Sequence, residues 1–311
     1  MSQWPLLVTG ETTDMRKSAR HHGFTLVELI MVIVILGVIG GTVAVFMRGP
    51  IDAYFASARR AALTDVADTT VRRIARDVRK ALPNSVRMAA TDNTCIEFIP
   101  TKTGGRYRAD SSAAGLDFTT TDSAFNMLGQ NSLLPADQRI VAGDLISVYN
   151  LGISQATAYN RDNIAAVSAV LPESAAPNVE TTITLAAATQ FPLASGSQRF
   201  HVIPNNENVV GYACTGVGTS TAGQGTGTLY RYTVSLASAY PQPATCPAVA
   251  PVASSGRFVA VGTLASNISS CSFDYSGADL QRNALLRMTL QITDQSESVS
   301  LYHEVHVNNT P

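Results

Sequence analysis

Near its N-terminus the chain reads Gly23-Phe-Thr-Leu-Val-Glu-Leu-Ile-Met-Val-Ile-Val-Ile-Leu-Gly-Val-Ile-Gly-Gly-Thr-Val-Ala-Val-Phe-Met47. The run from Phe24 to Met47 has 24 residues, and Glu28 is the one ionisable residue among them. As a helix it extends about 36 Å at ~1.5 Å per residue, which exceeds the ~30 Å hydrocarbon core of a bilayer. The apolar core of a removed secretory leader is shorter, about 7–15 residues. The sequence therefore predicts a retained membrane-spanning helix.

The overall composition narrows the class of protein. Lys and Arg total 22 against 23 for Asp and Glu, so the chain lacks the basic excess that is typical of nucleic-acid-binding domains. Hydrophobic residues make up 45% of the chain and charged residues 14%, which is too apolar for a disordered polypeptide. Basic residues flank the apolar run in similar numbers on its two sides, so positive-inside counting does not orient it. We expect an anchored globular protein that binds no nucleic acid.

Glu28 is the unusual residue of the apolar run. A carboxylate at the centre of a spanning helix is unfavourable by about 2.5–3.5 kcal/mol, and the position of Glu28 near one end lowers that penalty. Its side chain either extends to the lipid headgroups or pairs with a cationic group. The run alone leaves both alternatives open.

A second helical pattern follows Gly49-Pro50, a dipeptide that we expect to kink or interrupt the helix because Pro lacks an N–H. Apolar residues then recur at spacings of three and four, which places them on one helix face. They are Leu63, Ala67, Val71, Ile74, Val78 and Leu82. Because Leu82-Pro83-Asn84 should end the helix, we predict one long helix over about residues 24–82, with a stripe that packs on a globular domain.

Short β patterns begin at Cys95. Runs rich in β-branched and aromatic residues predict strands at 95–99, 144–149, 181–185, 199–203, 209–213, 229–234 and 270–275. Period-two alternation on both sides of 293–297 predicts a C-terminal hairpin with one buried face. The stretches 101–143 and 150–180 are expected to be loops or surface excursions. The predicted fold is α+β, with a long kinked N-terminal helix packed on an antiparallel β-sheet head with long loops.

Signatures of catalysis and metal binding are weak. His303 and His306 are three residues apart on a predicted strand, so they point to opposite faces, with His303 on the apolar face. The carboxylates of the predicted loops follow no EF-hand pattern: they are Asp110, Asp117, Asp122, Asp137 and Asp144. The chain contains no nucleophile elbow, Walker sequence or zincin motif. We therefore expect no catalytic residue, metal or cofactor, and no enzymatic activity.

The hexapeptide Gly23-Phe-Thr-Leu-Val-Glu28 resembles the prepilin cleavage site of type IV pilins and type II secretion pseudopilins. The resemblance implies that a membrane peptidase cuts between Gly23 and Phe24 and methylates the new amine of Phe24. The mature chain would have 288 residues (311 − 23). Glu28 is implied to pair with the N-terminal ammonium of a neighbouring subunit, which would offset the desolvation of both charges.

The same resemblance implies a domain organisation: a leader at 1–23, a transmembrane and filament-core helix at 24–47, a helical stalk at 48–82 and a periplasmic β-rich head at 83–311. It implies a single-pass inner-membrane protein that later enters a pilus or pseudopilus. The implied partners are prepilin peptidase/methyltransferase, the major pilin and other minor pilins, the inner-membrane assembly platform and the lipid bilayer.

Several later segments resemble minor pseudopilins encoded with the mannose-sensitive haemagglutinin (MSHA) type IV pilus. They are residues 199–204, 210–214, 229–232 and 282–311. The resemblance implies a minor, non-catalytic subunit that takes part in pilus assembly at the tip or in the initiation complex. A minor pseudopilin of a type II secretion system, an adhesin that binds through the long loops, and a membrane-anchored periplasmic enzyme remain as alternatives.

Four cysteines, Cys95, Cys214, Cys246 and Cys271, allow three disulfide pairings. An oxidising periplasm, implied for a pilin-like head, favours disulfides over free thiols. Cys214 and Cys246 flank the predicted strand at 229–234, and a bridge between them would join its loops. We therefore expect Cys214–Cys246, which leaves Cys95–Cys271.

Overall fold

The computed structural model describes residues 23–108, 115–174, 179–253, 258–275 and 283–311. The predicted leader before Gly23, and Asp110 among the loop carboxylates, lie outside the described residues. The chain divides into two compact units between Phe55 and Ala56, and each unit is described by itself. We call them the first unit and the second unit.

One α-helix, α1 (Leu26–Val78), contains 53 residues and contributes to both units. Pro50 lies inside α1, so the interruption considered for Gly49-Pro50 does not occur. The helix ends at Val78 rather than at the expected Leu82, because Ala81 already pairs with Pro100 in an isolated β-bridge. The N–H of Leu82 donates to the carbonyl of Ile99, and the carbonyl of Lys80 accepts from the N–H of Thr101. These backbone groups are therefore not available to continue the helix.

The C-terminal part of α1 has the predicted apolar stripe. Leu63, Ala67, Val71, Ile74 and Val78 are all buried, and they belong to one hydrophobic cluster with residues of the β-sheet. Burying a stripe of side chains at spacings of three and four is the usual way for an amphipathic helix to be stabilised. The predicted packing of the helix on a sheet is confirmed.

The second unit contains thirteen described strands. They are β1 (Arg87–Met88), β2 (Cys95–Phe98), β3 (Thr103–Arg106), β4 (Asp122–Leu128), β5 (Leu145–Val148), β6 (Ile164–Val170), β7 (Glu180–Thr189), β8 (Arg199–Ile203), β9 (Val209–Thr215), β10 (Gly227–Val234), β11 (Phe258–Asp274), β12 (Asn283–Asp294) and β13 (Glu297–Asn308). They form a seven-stranded sheet of order β1-β2-β9-β10-β11-β12-β13 and a six-stranded sheet of order β3-β8-β5-β6-β7-β4. The strand pairings that build both sheets are antiparallel.

The core of the second unit has three layers of apolar contact. One face of the seven-stranded sheet packs on the stripe of α1. A second cluster joins residues of the two sheets, for example Val209 and Ala213 with Leu145 and Ile203. A third cluster, which includes Phe125 and Phe200, covers the remaining face of the six-stranded sheet. The α+β architecture is confirmed, and the head contains two stacked sheets.

The expectation that residues 101–143 and 150–180 form loops is wrong in part. These stretches contain β3, β4 and β6, which are strands of the six-stranded sheet. β6 reads Ile-Ala-Ala-Val-Ser-Ala-Val and β4 reads Asp-Ser-Ala-Phe-Asn-Met-Leu, and Ala, Ser, Asn and Asp give little strand signal on their own. Pairing with β7 decides their conformation.

The predicted C-terminal hairpin is present. β12 and β13 pair in continuous register from Asn283↔Asn308 to Asp294↔Glu297. Gln295 and Ser296 form the two-residue turn with φ of 47° and 68°, and positive φ at both positions is the mark of the type I′ turn that suits a twisted hairpin. Leu286, Met288 and Leu290 are buried toward α1, as their alternation predicts.

Candidate functional site

Helix α1 begins at the hexapeptide Gly23–Glu28. Gly23, Phe24 and Thr25 are not helical, and Phe24 is 83% exposed. The backbone N–H of Glu28 donates to Oγ1 of Thr25 at 3.3 Å, and the N–H of Leu29 donates to the carbonyl of Thr25 at 3.2 Å. Thr25 therefore acts as the N-cap, which satisfies a free N–H of the first turn and explains where the helix starts. The peptide bond between Gly23 and Phe24 lies just outside the helix.

Glu28 lies in the first turn of α1 and is exposed. A carboxylate at this position interacts favourably with the positive end of the helix dipole. Among the described residues, no side-chain hydrogen bond or ion pair engages its carboxylate. The monomer therefore leaves the two oxygens of Glu28 available to a partner.

The rest of the first unit that the structure describes, residues 29–55, is a largely apolar helical surface that no other described residue covers. Residues 24–55 are exposed throughout, and an 18-residue window of α1 reaches a mean hydropathy of 2.8. Among the described residues, α1 is the one helix long and apolar enough to cross a membrane. Exposed apolar surface on this scale identifies a lipid or protein contact surface.

Of the weak metal candidates, the head brings Asp117 and Asp122 together, since the N–H of Asp117 donates to the carboxylate of Asp122 at 2.7 Å. Asp144 is fully buried and forms an ion pair with Lys102 at 2.6 Å, while also accepting the N–H groups of Val141 and Asn205. Asp117 accepts hydrogen bonds from Thr119, and these lower the pKa of its carboxyl. Within the described part of the chain, no group of three or more His, Cys, Asp or Glu residues can hold a metal ion.

The two histidines of β13 point to opposite faces, as predicted. His303 is half-buried on the face that carries the buried Val305 and Val307, and His306 is exposed. Nε2 of His303 is buried without a hydrogen-bond partner among the described residues. This geometry excludes a single metal ion bound by both side chains.

All four cysteines form disulfides, but the expected pairing is wrong. The bridges are Cys95–Cys246 and Cys214–Cys271, with Cα–Cα distances of 5.6 and 6.3 Å.

The strand register explains the difference. Cys95 lies opposite Ala213, so it shares a sheet face with Ala213 and not with the adjacent Cys214. Cys214 and Cys271 lie in the cluster beneath α1, whereas Cys95 and Cys246 lie in the cluster between the sheets.

The head contains a largely buried polar cluster that the sequence did not reveal. The guanidinium of Arg87 lies 3.5 Å from the ring centroid of Tyr159 and donates to the carboxylate of Glu97 at 3.1 Å. Tyr232 and Tyr240 donate to the same carboxylate at 2.9 and 2.7 Å. Burial raises the pKa of the Tyr159 hydroxyl, which donates to the carbonyl of Ser85.

This cluster borders a cleft in the head. Arg87 and Tyr159 line a cleft of about 730 Å³ together with Asn84, Asn160 and Gln242. The charges of Arg87 and Glu97 are paired inside the cluster, which offsets part of the cost of burying them. In the sequence, the cluster is indicated only by an Arg on one strand and a Glu on the next strand. This pattern is too common in proteins to predict a buried polar cluster.

The comparisons with known proteins give a match in the N-terminal segment alone. Residues 18–44 match the model of the prokaryotic N-terminal methylation motif. Searches among curated proteins and among solved structures give no significant match. The matched residues thus include the first part of the exposed apolar helix α1.

Proposed function

We propose that this chain is a minor, non-catalytic subunit of a type IV pilus of the MSHA kind, acting in pilus assembly at the tip or in the initiation complex. The observation that carries the proposal is the methylation motif at the start of an apolar segment, residues 24–55, that the monomer leaves exposed throughout. A surface of this kind needs lipid before assembly and neighbouring helices after it. The resemblance of 199–204 and 282–311 to MSHA minor pseudopilins supports the finer assignment.

In the proposed mechanism, the chain is first processed covalently at its N-terminus and then assembles through non-covalent contacts alone. Prepilin peptidase cleaves the peptide bond after Gly23, and the new amine of Phe24 is methylated. The apolar helix then moves from the bilayer into the filament core, and Glu28 pairs with the N-terminal ammonium of a neighbour. Pairing sets the register because an unpaired charge in an apolar surrounding is strongly unfavourable.

The proposal includes a topology. The chain spans the inner membrane once, with the head of residues 83–311 in the periplasm, and reaches the pilus from there. Two disulfides in the head support an oxidising compartment, since disulfides are rare in the cytosol. The other proposed partners are the major pilin, further minor pilins and the inner-membrane assembly platform.

Mass spectrometry of the chain isolated from cells tests the proposal. We expect a mature chain of 288 residues (311 − 23) that begins with N-methylated Phe24. A Gly23→Leu variant should remain unprocessed, because its side chain occupies the position before the scissile bond, and it serves as the control. A mature N-terminus at any other residue would contradict the proposal.

A minor pseudopilin of a type II secretion system is the second candidate. The same motif and the same exposed helix favour it equally. The two candidates differ in the fibre that contains the chain, so immunodetection in purified pili and in purified secretion pseudopili separates them. The adhesin alternative has less support, because part of its proposed loop surface forms β4 and β6.

A further inference from the structure

The seven-stranded sheet ends in an unusually regular edge strand. β13 is its last strand, contains 12 residues and pairs with β12 in a register without a bulge. Its sequence, Glu-Ser-Val-Ser-Leu-Tyr-His-Glu-Val-His-Val-Asn, contains neither Pro nor Lys. These are the residues that commonly prevent an edge strand from pairing with another chain.

The turn geometry shows which backbone groups face outward. In a hairpin with a two-residue type I′ turn, the closing pair Asp294↔Glu297 is hydrogen-bonded, and the pairs alternate from there. The N–H and C=O groups of every second residue therefore point away from β12. These residues are Ser298, Ser300, Tyr302, Glu304, His306 and Asn308, and no backbone hydrogen bond from another described residue reaches them.

The other described sheet edges are shorter or irregular. β1 has two residues, and β3 has four, including Gly104 and Gly105. β4 has seven residues, and its pairing with β7 shifts register between Asp122 and Ala124. Short strands and bulges are the usual means of protecting an edge, so β13, with twelve residues in continuous register, is the exception among these edges.

The side chains of β13 also present no evident obstacle to a partner strand, because its acids are paired and part of its apolar surface is uncovered. Glu297 pairs with Arg60 at 2.6 Å and Glu304 pairs with Arg287 at 3.3 Å, so the acids on the edge are neutralised within the chain. On the helix-facing side, Val299 and Leu301 are only partly buried against the core. An added strand would extend that apolar row.

We propose that β13 accepts, by β-strand addition, an extended strand from the head of an adjacent pilin-type subunit. The inference rests on the proposed function, which places such subunits beside α1. Arg60 on α1 pairs with Glu297 at the start of β13, so this edge lies beside the part of α1 that belongs to the second unit. Backbone hydrogen bonds supply affinity in this mode, and alternate side chains supply specificity.

The edge defines the chemistry of the guest strand. Side chains that join the row of Val299 and Leu301 must be apolar, and those that join Ser300 and Tyr302 must be polar or aromatic. Because both acids of β13 are already paired, the guest needs no excess of basic residues. A strand of alternating apolar and polar residues without proline meets these requirements.

Fibre incorporation of the full chain tests the proposal. Ser300→Pro removes one outward N–H that the hairpin itself does not use, a position where an edge strand tolerates proline. We expect incorporation to fall by about tenfold or more, with processing at Phe24 and thermal unfolding unchanged. Ser300→Lys should act similarly, whereas Gln291→Lys on β12, directly opposite Ser300, is the matched control and should incorporate normally.

Photo-crosslinking in intact fibres identifies the guest. A benzoylphenylalanine at Tyr302, which is 60% exposed, should crosslink to a strand of another pilin-type subunit, and the same group at Thr289 on β12 should not. Normal incorporation of both Ser300 variants, or a crosslink to a second copy of this chain, would overturn the proposal while leaving the proposed function intact. Absence of the wild-type chain from fibres would overturn both.

Discussion

The two parts of α1 differ in what surrounds them. Before Phe55 the helix is apolar on all sides and exposed throughout, whereas after Ala56 it carries a stripe that is buried on the seven-stranded sheet. A helix with apolar residues all round requires an apolar environment, and an amphipathic helix requires one covered face. The first part therefore depends on the membrane or on other subunits, and the second part is stabilised within its own chain.

The largest effect on the second unit is expected from the disulfides. Removing Cys95–Cys246, whose partners are 151 residues apart, should lower the free energy of unfolding by about 5 kcal/mol, and removing Cys214–Cys271, 57 apart, by about 4 kcal/mol. Paired Cys→Ala variants and chemical denaturation of the full chain in detergent measure this. The apolar first part of α1 should keep its helical signal, and its loss would contradict the separation of the two parts.

Ile74 and Ile33 provide the direct comparison within α1. Ile74 is 2% exposed beneath the sheet, so Ile74→Ala should lower the free energy of unfolding by about 2–5 kcal/mol. Ile33 is 62% exposed in the first unit, so Ile33→Ala should leave the unfolding of the head unchanged. Equal destabilisation by the two variants would show that the first part also packs within the monomer.

Glu28→Ala tests the assembly function that we propose for the first part of α1. We expect the variant to be cleaved and methylated normally but to enter fibres roughly tenfold less, since a lost ion pair of about 1.4 kcal/mol has that effect. Asp52→Ala removes an exposed acid from the same unit and is the control. Normal incorporation of Glu28→Ala would remove the proposed pairing with a neighbour's amine.

The smallest effect is expected from the ion pair between Arg60 and Glu297. The Arg60 side chain is 64% exposed, so solvent screens the interaction and the coupling should be at most about 0.5 kcal/mol. A double-mutant cycle with Arg60→Ala and Glu297→Ala measures it. A coupling several times larger would indicate that this contact fixes the orientation of β13 on the helix.

Local sequence patterns were sufficient to predict the elements in which apolar residues recur with a clear period. The stripe from Leu63 to Val78 and the alternation in β12 and β13 both matched the structure, because each pattern reflects one buried face. β4 and β6 could not be predicted in this way, since their small and polar residues become strands through pairing with β7. The Arg87–Glu97 cluster likewise depends on Tyr232 and Tyr240, which are distant in sequence.

The sequence by itself determined the apolar helix, the N-terminal methylation motif and the C-terminal hairpin, because their signals are carried by neighbouring residues. The tertiary structure decided the second sheet, the disulfide partners and the open edge of β13. Each of these depends on which strands become neighbours and on which face a residue points to. A shift of one residue reverses that face, as the adjacent residues Ala213 and Cys214 show.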